Sequence, residues 1–276
     1  MELLDLHNYH LINDLIRSVS INNLFARAVL EHNVSGQIFA DNKTHPQTAY
    51  IIHPYGMTLL AGDSTNQTFN ESFRAHALNT TGKRTTHEWM QAWPDSWDNT
   101  LRDLFGERLI KSADNLTKQE KGIIELNTRV NFKFNKNRFL KIHKPATDPA
   151  ITITRTNKTL FREMKGSVIP VNFWNSEEDF LENGLGFSLL YQGKLASMAF
   201  SSFWFDDQFE LGIETIPGYR GKGLAEMVCS ALIEHCIRRQ LEPIWACRLE
   251  NTGSYKLALK LGFEVAATIP YYRLSN

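Results

Sequence analysis

Arg220, Gly221, Lys222 and Gly223 follow one another in the sequence, and side chains of these types at this spacing suit the binding of a phosphate. The two glycines lack a Cβ, so an anion can come close to the main chain, while the arginine and lysine bring positive charge to the same place. Such a turn works best where a helix begins at once, because the first-turn N–H groups have no intrahelical partner and the helix dipole is positive there. The residues that follow meet this condition: Leu224, Val228, Ala231, Leu232 and His235 recur at three- and four-residue spacing, as on one helix face. On the other side, Phe209, Leu211 and Ile213 alternate with Glu210, Gly212 and Glu214, the pattern of a strand with one buried face. The bland reading of the same stretch is an ordinary strand-to-helix turn whose glycines serve geometry alone.

Neither common nucleotide loop fits. Lys222 is followed by Gly223 and Leu224 where a P-loop needs Ser or Thr, and Glu226 occupies the last glycine position of a dinucleotide fingerprint. The stretch instead resembles the Arg/Gln-x-x-Gly-x-Gly/Ala signature of the GNAT acetyltransferase superfamily, met by Arg220, Gly223 and Ala225. A second stretch, from Asn251 through Ser254 and Leu257 to Leu261-Gly262-Phe263, resembles that superfamily's Asn-x-x-Ser/Ala-x-x-Leu-x-x-x-Leu-Gly-Phe motif. The two lie in the right order, and the resemblance covers residues 165–276. In its wording this half resembles the zwittermicin-A-resistance type of GNAT protein, which also carries a long N-terminal extension. The resemblance implies acetyl-coenzyme A as acyl donor. Its pyrophosphate would lie on Arg220, Gly221, Lys222, Gly223, Leu224 and Ala225, its pantetheine arm on the backbone of Ile213 and Thr215, and Asn251 would join the cofactor contacts.

Acetyl transfer needs an amine to attack a thioester, a donor for the developing oxyanion, a proton acceptor for the amine and a proton for the leaving thiolate. The resemblance assigns the oxyanion donor to a backbone N–H between Ile213 and Thr215. For the proton acceptor, Glu214 comes first and Glu210 second, both placed on the polar face of the signature strand; solvated strand carboxylates are the bland reading. The family often protonates the thiolate with a tyrosine seven residues after the motif asparagine, and here that position is Ala258. Tyr255, Tyr271 and Tyr272 do not match it, so the acid is unassigned and water or the ammonium proton can serve. His235 reads as a packed core histidine. No His-Glu-x-x-His occurs, so no metal is expected.

The chain of 276 residues has room for two domains. Hydrophobic residues make up 42% and charged residues 22%, with 30 acidic against 30 basic residues, so a core can form and nothing points to nucleic acid or a membrane surface. No stretch approaches the roughly eighteen apolar residues of a membrane span, and the first ten residues lack an apolar signal segment; a cytoplasmic protein is expected. Cys229, Cys236 and Cys247 form no C-x-x-C pair and read as packing residues.

Along the chain, residues 11–30 suggest two short helices, and the runs 34–39, 48–52 and 57–61 an antiparallel meander followed by a helix from Asn70 to Leu78. Trp89, Trp93 and Trp97 stand four apart, as on one helix face that Pro94 would interrupt; core packing and an aromatic wall for substrate are both open. Residues 99–125 read as mainly helical, and the domain boundary falls within 130–145. Further on come a short helix capped by Ser176, a hairpin over 186–191 and 194–205, the signature strand and its helix to about Gln240, a strand over 244–248 and a helix ending at Gly262.

The expected fold is α/β (α+β), with a mixed, mostly antiparallel GNAT sheet flanked by helices in residues 136–276 and a second α/β domain in residues 1–135. The β-β-β-α order of the first half resembles the second, without its glycine loop, and reads either as a degenerate GNAT-like copy or as a common meander. The expected function is acetyl transfer from acetyl-coenzyme A to a primary amine of a small molecule or peptide, by direct attack in a ternary complex. The alternatives are a non-catalytic acyl-coenzyme A-binding module and a nucleotide-binding enzyme using the same loop.

Overall fold

The computed structural model describes residues 1–111, 121–143 and 148–276. They pack as two compact units, one of residues 1–130, 248–250 and 267–276, the other of residues 131–247 and 251–266. Each is a mixed, largely antiparallel sheet flanked by helices, the α/β class expected. Among the described residues no helix is long and apolar enough to cross a membrane.

The first unit opens with β1 (Glu2–Leu3), α1 (Asn13–Arg17), α2 (Leu24–Leu30) and the meander β2 (Gln37–Ala40), β3 (Thr48–Ile52) and β4 (Met57–Gly62). Asn66 accepts a hydrogen bond from the Phe69 N–H at 3.1 Å and starts α3 (Gln67–Ala77), a side-chain cap that places the helix three residues ahead of the expected start. β5 (Glu88–Trp93) then returns parallel to β4, in register from Met57–Trp89 to Ala61–Trp93. Next come α4 (Ser96–Phe105), the short β6 (Leu109–Lys111) and β7 (Ile124–Phe134). The core of this unit gathers Tyr50, Leu60, Phe69, Phe73, Trp97 and Leu101 with Tyr272 and Leu274 from the C-terminus.

Two sequence readings change here. The tryptophans share no helix: Trp89 and Trp93 lie in β5, while Trp97 is fully buried in α4 and donates to the Gly62 carbonyl at 3.1 Å. Residues 99–125 are not mainly helical: α4 stops at Phe105 and strands follow at Leu109 and Ile124. Part of that reading, residues 112–120, and part of the expected boundary, residues 144–147, lie outside the described residues.

The second unit contains α5 (Lys136–Ile142), β8 (Ile151–Arg155), α6 (Lys158–Glu163), α7 (Glu177–Asn183), the meander β9 (Gly186–Tyr191), β10 (Lys194–Phe205) and β11 (Gln208–Thr215), then α8 (Leu224–Arg239), β12 (Glu242–Arg248), α9 (Thr252–Lys260) and β13 (Phe263–Leu274). Its sheet runs from the start of β13 and the end of β7 through β12, β11, β10 and β9 to β8. Ser176 caps α7 by accepting the Asp179 N–H at 3.0 Å, as its position before three acids predicts. α8 packs on β9, β10 and β11, burying Leu224, Val228, Cys229, Leu232, Ile233 and Cys236. The order of β9, β10, β11, α8, β12 and α9 repeats that of β2, β3, β4, α3, β5 and α4, including the parallel pairing of the strands around the helix.

Candidate active site

β11 is the centre of the site. It pairs antiparallel with β10 from Phe205–Gln208 to Ser197–Thr215, but pairs with β12 at only three positions, Gln208–Glu242, Phe209–Pro243 and Glu210–Ile244. Beyond Glu210 the two parallel strands part, which leaves the β12-facing backbone of residues 211–215 outside the ladder. A bulge in β10 at Ser202 lies opposite this fork, and the Ser202 hydroxyl donates to the Glu210 carbonyl at 3.1 Å.

The turn after β11 stands at the open end of the fork. Gly221 and Gly223 have φ of 77° and 76°, in the left-handed region that costs other L-residues about 1–2 kcal/mol. Gly223 is the N-cap of α8 and offers no side chain, so the first-turn N–H groups of the helix stay available to a ligand. A Cβ at either glycine would meet no protein atom within 4 Å; backbone conformation, not crowding by neighbouring side chains, requires glycine in this protein.

Between β11, the α8 N-terminus and α9 lies a cleft of about 440 Å³. Of the nine residues the sequence nominates for the cofactor, Ile213, Thr215, Arg220, Gly221, Gly223, Leu224, Ala225 and Asn251 line it. Lys222 does not: its ammonium lies over the Tyr191 ring, 5.0 Å from the centroid. The cleft gains two cations that sequence reasoning missed, Lys256 and Lys260. Their i, i+4 spacing on the helix that Asn251 caps was the available signal. Glu226 lies 3.4 Å from Lys260, and both are exposed enough that the pair contributes little. With Arg220 paired to Glu214 at 3.1 Å and Lys260 to Glu226, the three cationic side chains still leave one positive charge in excess at the cleft, which makes it electropositive.

A family model described as GNAT acetyltransferase matches residues 15–272. The chain belongs to the GNAT acetyltransferase family. The uncharacterized N-acetyltransferase YdfB of Bacillus subtilis is 26% identical over 250 residues, 90% of this chain and 89% of that protein. Among solved structures, a GCN5-related N-acetyltransferase-like protein from Streptococcus suis superposes with a TM-score of 0.69 at 21% identity, covering 96% of this chain and 98% of that one. A tandem GNAT protein from the clavulanic acid biosynthesis pathway gives 0.60 at 10% identity, over 98% and 95% of the two chains. At these identities the solved structures share the fold.

The two strand carboxylates of this GNAT protein do not lie on a solvated face. β11 is covered on both sides, and Glu210 and Glu214 are only 5% and 9% exposed. The Glu214 carboxylate accepts the Ser167 N–H at 3.0 Å, the Val168 N–H at 3.2 Å and the Ser167 hydroxyl at 3.4 Å, all on Oε2, and Arg220 Nη2 at 3.1 Å on Oε1. Alternation in the strand marks both as off the Phe209 face; it carries no sign of the segment that covers them.

At the family's tyrosine position Ala258 is fully buried. Tyr255 leans on Phe132 at 5.6 Å between centroids and does not line the cleft, whereas its neighbour Ser254 does. Tyr271 and Tyr272 pack in the first unit, Tyr271 stacked on Trp89 at 5.2 Å and Tyr272 in the core. Cys229, Cys236 and Cys247 are buried free thiols. Burial raises the pKa of Cys229 and pushes that of Cys236 up to about 12, so neither presents a thiolate nucleophile near neutral pH. His235 is half-buried against Phe187, 5.9 Å between centroids. Burial, then the charges of Arg155, Arg238 and Arg239, lower its pKa and keep it neutral.

Proposed function

We propose that the protein transfers an acetyl group from acetyl-coenzyme A to a primary amine of a small molecule or peptide, by direct attack with both substrates bound. The observation that carries this reading is the fork: β11 and β12 separate after Glu210 and Ile244, and a glycine turn with an uncapped helix N-terminus stands at the open end of an electropositive cleft. In this reading the turn from Arg220 to Ala225 takes the pyrophosphate, and the unladdered backbone of β11 takes the pantetheine arm. An N–H between Ile213 and Thr215 meets the thioester oxygen, worth about 3–4 kcal/mol to such a transition state. Asn251 shapes the cleft by capping α9, its Oδ1 accepting the Ser254 N–H at 3.2 Å. Acetyl-coenzyme A supplies the activated acyl carbon; the chain orients it and takes up the amine proton.

For that proton, Glu210 is the acceptor in this reading: it occupies the last paired position before the strands part, and Glu214 is left to hold Arg220. The departing coenzyme A thiolate needs no tyrosine, since water or the new ammonium can protonate it.

The first half is a GNAT-like copy without a cofactor site in this reading. It repeats the element order, yet β4 and β5 stay paired through Ala61–Trp93. The turn after β4, Gly-Asp-Ser-Thr-Asn-Gln, has neither paired glycines nor a basic residue. The tandem GNAT protein matched over nearly its whole length supports a two-copy arrangement. The resemblance to zwittermicin-A-resistance-type proteins makes diffusible, antibiotic-like amines the first acceptors to screen and agrees with a cytoplasmic enzyme.

Thiol release from acetyl-coenzyme A across an amine panel tests this reading. With an acceptor in hand, Glu210→Gln should lower kcat/KM by about a hundredfold or more and leave coenzyme A affinity unchanged. A change within about threefold, the size expected of a substitution without a special role, would remove Glu210 from the chemistry. No thiol release with any amine would count against acetyl transfer itself.

A further inference from the structure

The Glu214 carboxylate accepts four hydrogen bonds, and its partners come from two places in the sequence. Ser167 and Val168 belong to the segment between α6 and a short 3-10 turn at Pro170–Asn172, some 46 to 47 residues before Glu214. Arg220 belongs to the glycine turn and lines the cleft. The segment is also folded on itself, with the Asn172 amide donating to the Ser167 carbonyl at 2.8 Å. It closes onto Glu214 so tightly that a Cβ at Gly166, whose φ is +149°, would overlap the Glu214 carboxyl group. Arg220 in turn donates from Nε to the Thr215 carbonyl at 3.0 Å and from Nη2 to Glu214. Two of its five N–H hydrogens are used in these bonds, which fixes the guanidinium plane and leaves the others for an anion in the cleft.

We propose that Glu214 is a positioning residue that ties Arg220 of the glycine turn to the Gly166–Val168 segment through one carboxylate, so that the orientation of the anion-binding arginine and the order of that segment are coupled. The physical basis is the arrangement of charge. Charge-assisted hydrogen bonds are about twice as strong as neutral ones, and the carboxylate charge on which Ser167 and Val168 depend is held in place by Arg220. Loss of either partner loosens the other. An anion that draws on Arg220 changes the hold on Ser167 and Val168, and by linkage whatever orders that segment changes anion affinity by the same factor.

The proposal rests on the acetyl-coenzyme A reading only for the identity of the anion, so the first measurement uses the ligand-free protein. Amide hydrogen exchange at Ser167 and Val168 should be about tenfold or more faster in Arg220→Gln and in Glu214→Gln than in the parent, with α8 amides unchanged. Gly166→Ala, which displaces the carboxyl group without altering it, should do the same. Parent-like exchange in Arg220→Gln would overturn the coupling, whatever the cofactor proves to be. The second measurement uses coenzyme A. Glu214→Gln and Gly166→Ala should each weaken its binding by about three- to thirtyfold, non-additively with Arg220→Gln, and raise the KM for acetyl-coenzyme A more than they lower kcat. The acidic limb of the pH profile should persist. If Glu214→Gln keeps parent affinity but loses about a hundredfold in kcat together with the acidic limb, Glu214 is the proton acceptor and the positioning role falls. If coenzyme A fails to bind the parent protein, the cofactor reading fails while the exchange result still decides the clamp.

Discussion

Gly223→Val should abolish the stabilisation of this protein by coenzyme A while leaving the chain folded. Gly223 sits at φ 76°, ψ 2° as the N-cap of α8, and a β-branched residue is a poor occupant of that region. Its backbone would either stay, with two methyl groups projecting into the space an anion needs, or move, turning the first-turn N–H groups away from their common point. Both routes remove the site. A ligand at a hundred times its Kd stabilises a protein by about 2.7 kcal/mol, so the parent should show a Tm shift of several degrees and the variant none. The fold should survive, because a Cβ at this position meets no protein atom within 4 Å and the strain is local. Gly221, two residues before the cap, requires the same φ, at 77°, and lines the same cleft, so Gly221→Val should reduce the coenzyme A shift as well. A normal coenzyme A shift in a folded Gly223→Val protein would place the cofactor elsewhere.

The features that make Gly223 critical are local and legible in the amino-acid sequence. Alternation over residues 209–214, two glycines two apart and a 3.6-residue period after them fit only one local arrangement, and β11, the turn and α8 follow it. What sequence could not show is what lies across from a residue. Glu210 and Glu214 alternate correctly, yet the segment that covers Glu214 is contributed from 46 to 47 residues earlier, and no periodicity within the strand encodes it. The tryptophan spacing failed for a related reason. Trp89, Trp93 and Trp97 are four apart, but a strand ends at Trp93 and a helix begins at Ser96; the regular interval arises from two elements of different period. Lys256 and Lys260 were legible in principle, since Asn251 and Gly262 already bracket their helix and only the direction of that face was missing.

The C-terminal strand carries the largest consequence for stability. β13 begins in the second unit, but residues 267–276 pack with the first, where Tyr272, Arg273 and Leu274 pair antiparallel with Met90, Trp89 and Glu88 of β5. Tyr272 is 2% exposed and Leu274 fully buried in that unit's core. Arg84 and Thr85 bind the terminus further, Arg84 donating to the Ser275 carbonyl and the Asn276 amide donating to the Thr85 carbonyl. Burial of a large apolar side chain is worth about 1.5–3 kcal/mol, and truncating one to alanine in a core costs about 2–5 kcal/mol. Leu274→Ala should therefore lower the Tm of the first unit measurably while that unit still folds. Deleting residues 270–276 removes both core side chains, the stack of Tyr271 on Trp89 and the ladder to β5 together. The combined loss is of the order of the 5–15 kcal/mol that holds a typical domain folded, so residues 1–130 should become sensitive to protease while residues 148–247 stay resistant. Limited proteolysis with mass mapping of the fragments reads this directly. Equal resistance of residues 1–130 in the truncated and untruncated chains would mean that the first unit is stable without residues 270–276, and the loss of protection would mean that its stability depends on the pairing of β13 with β5.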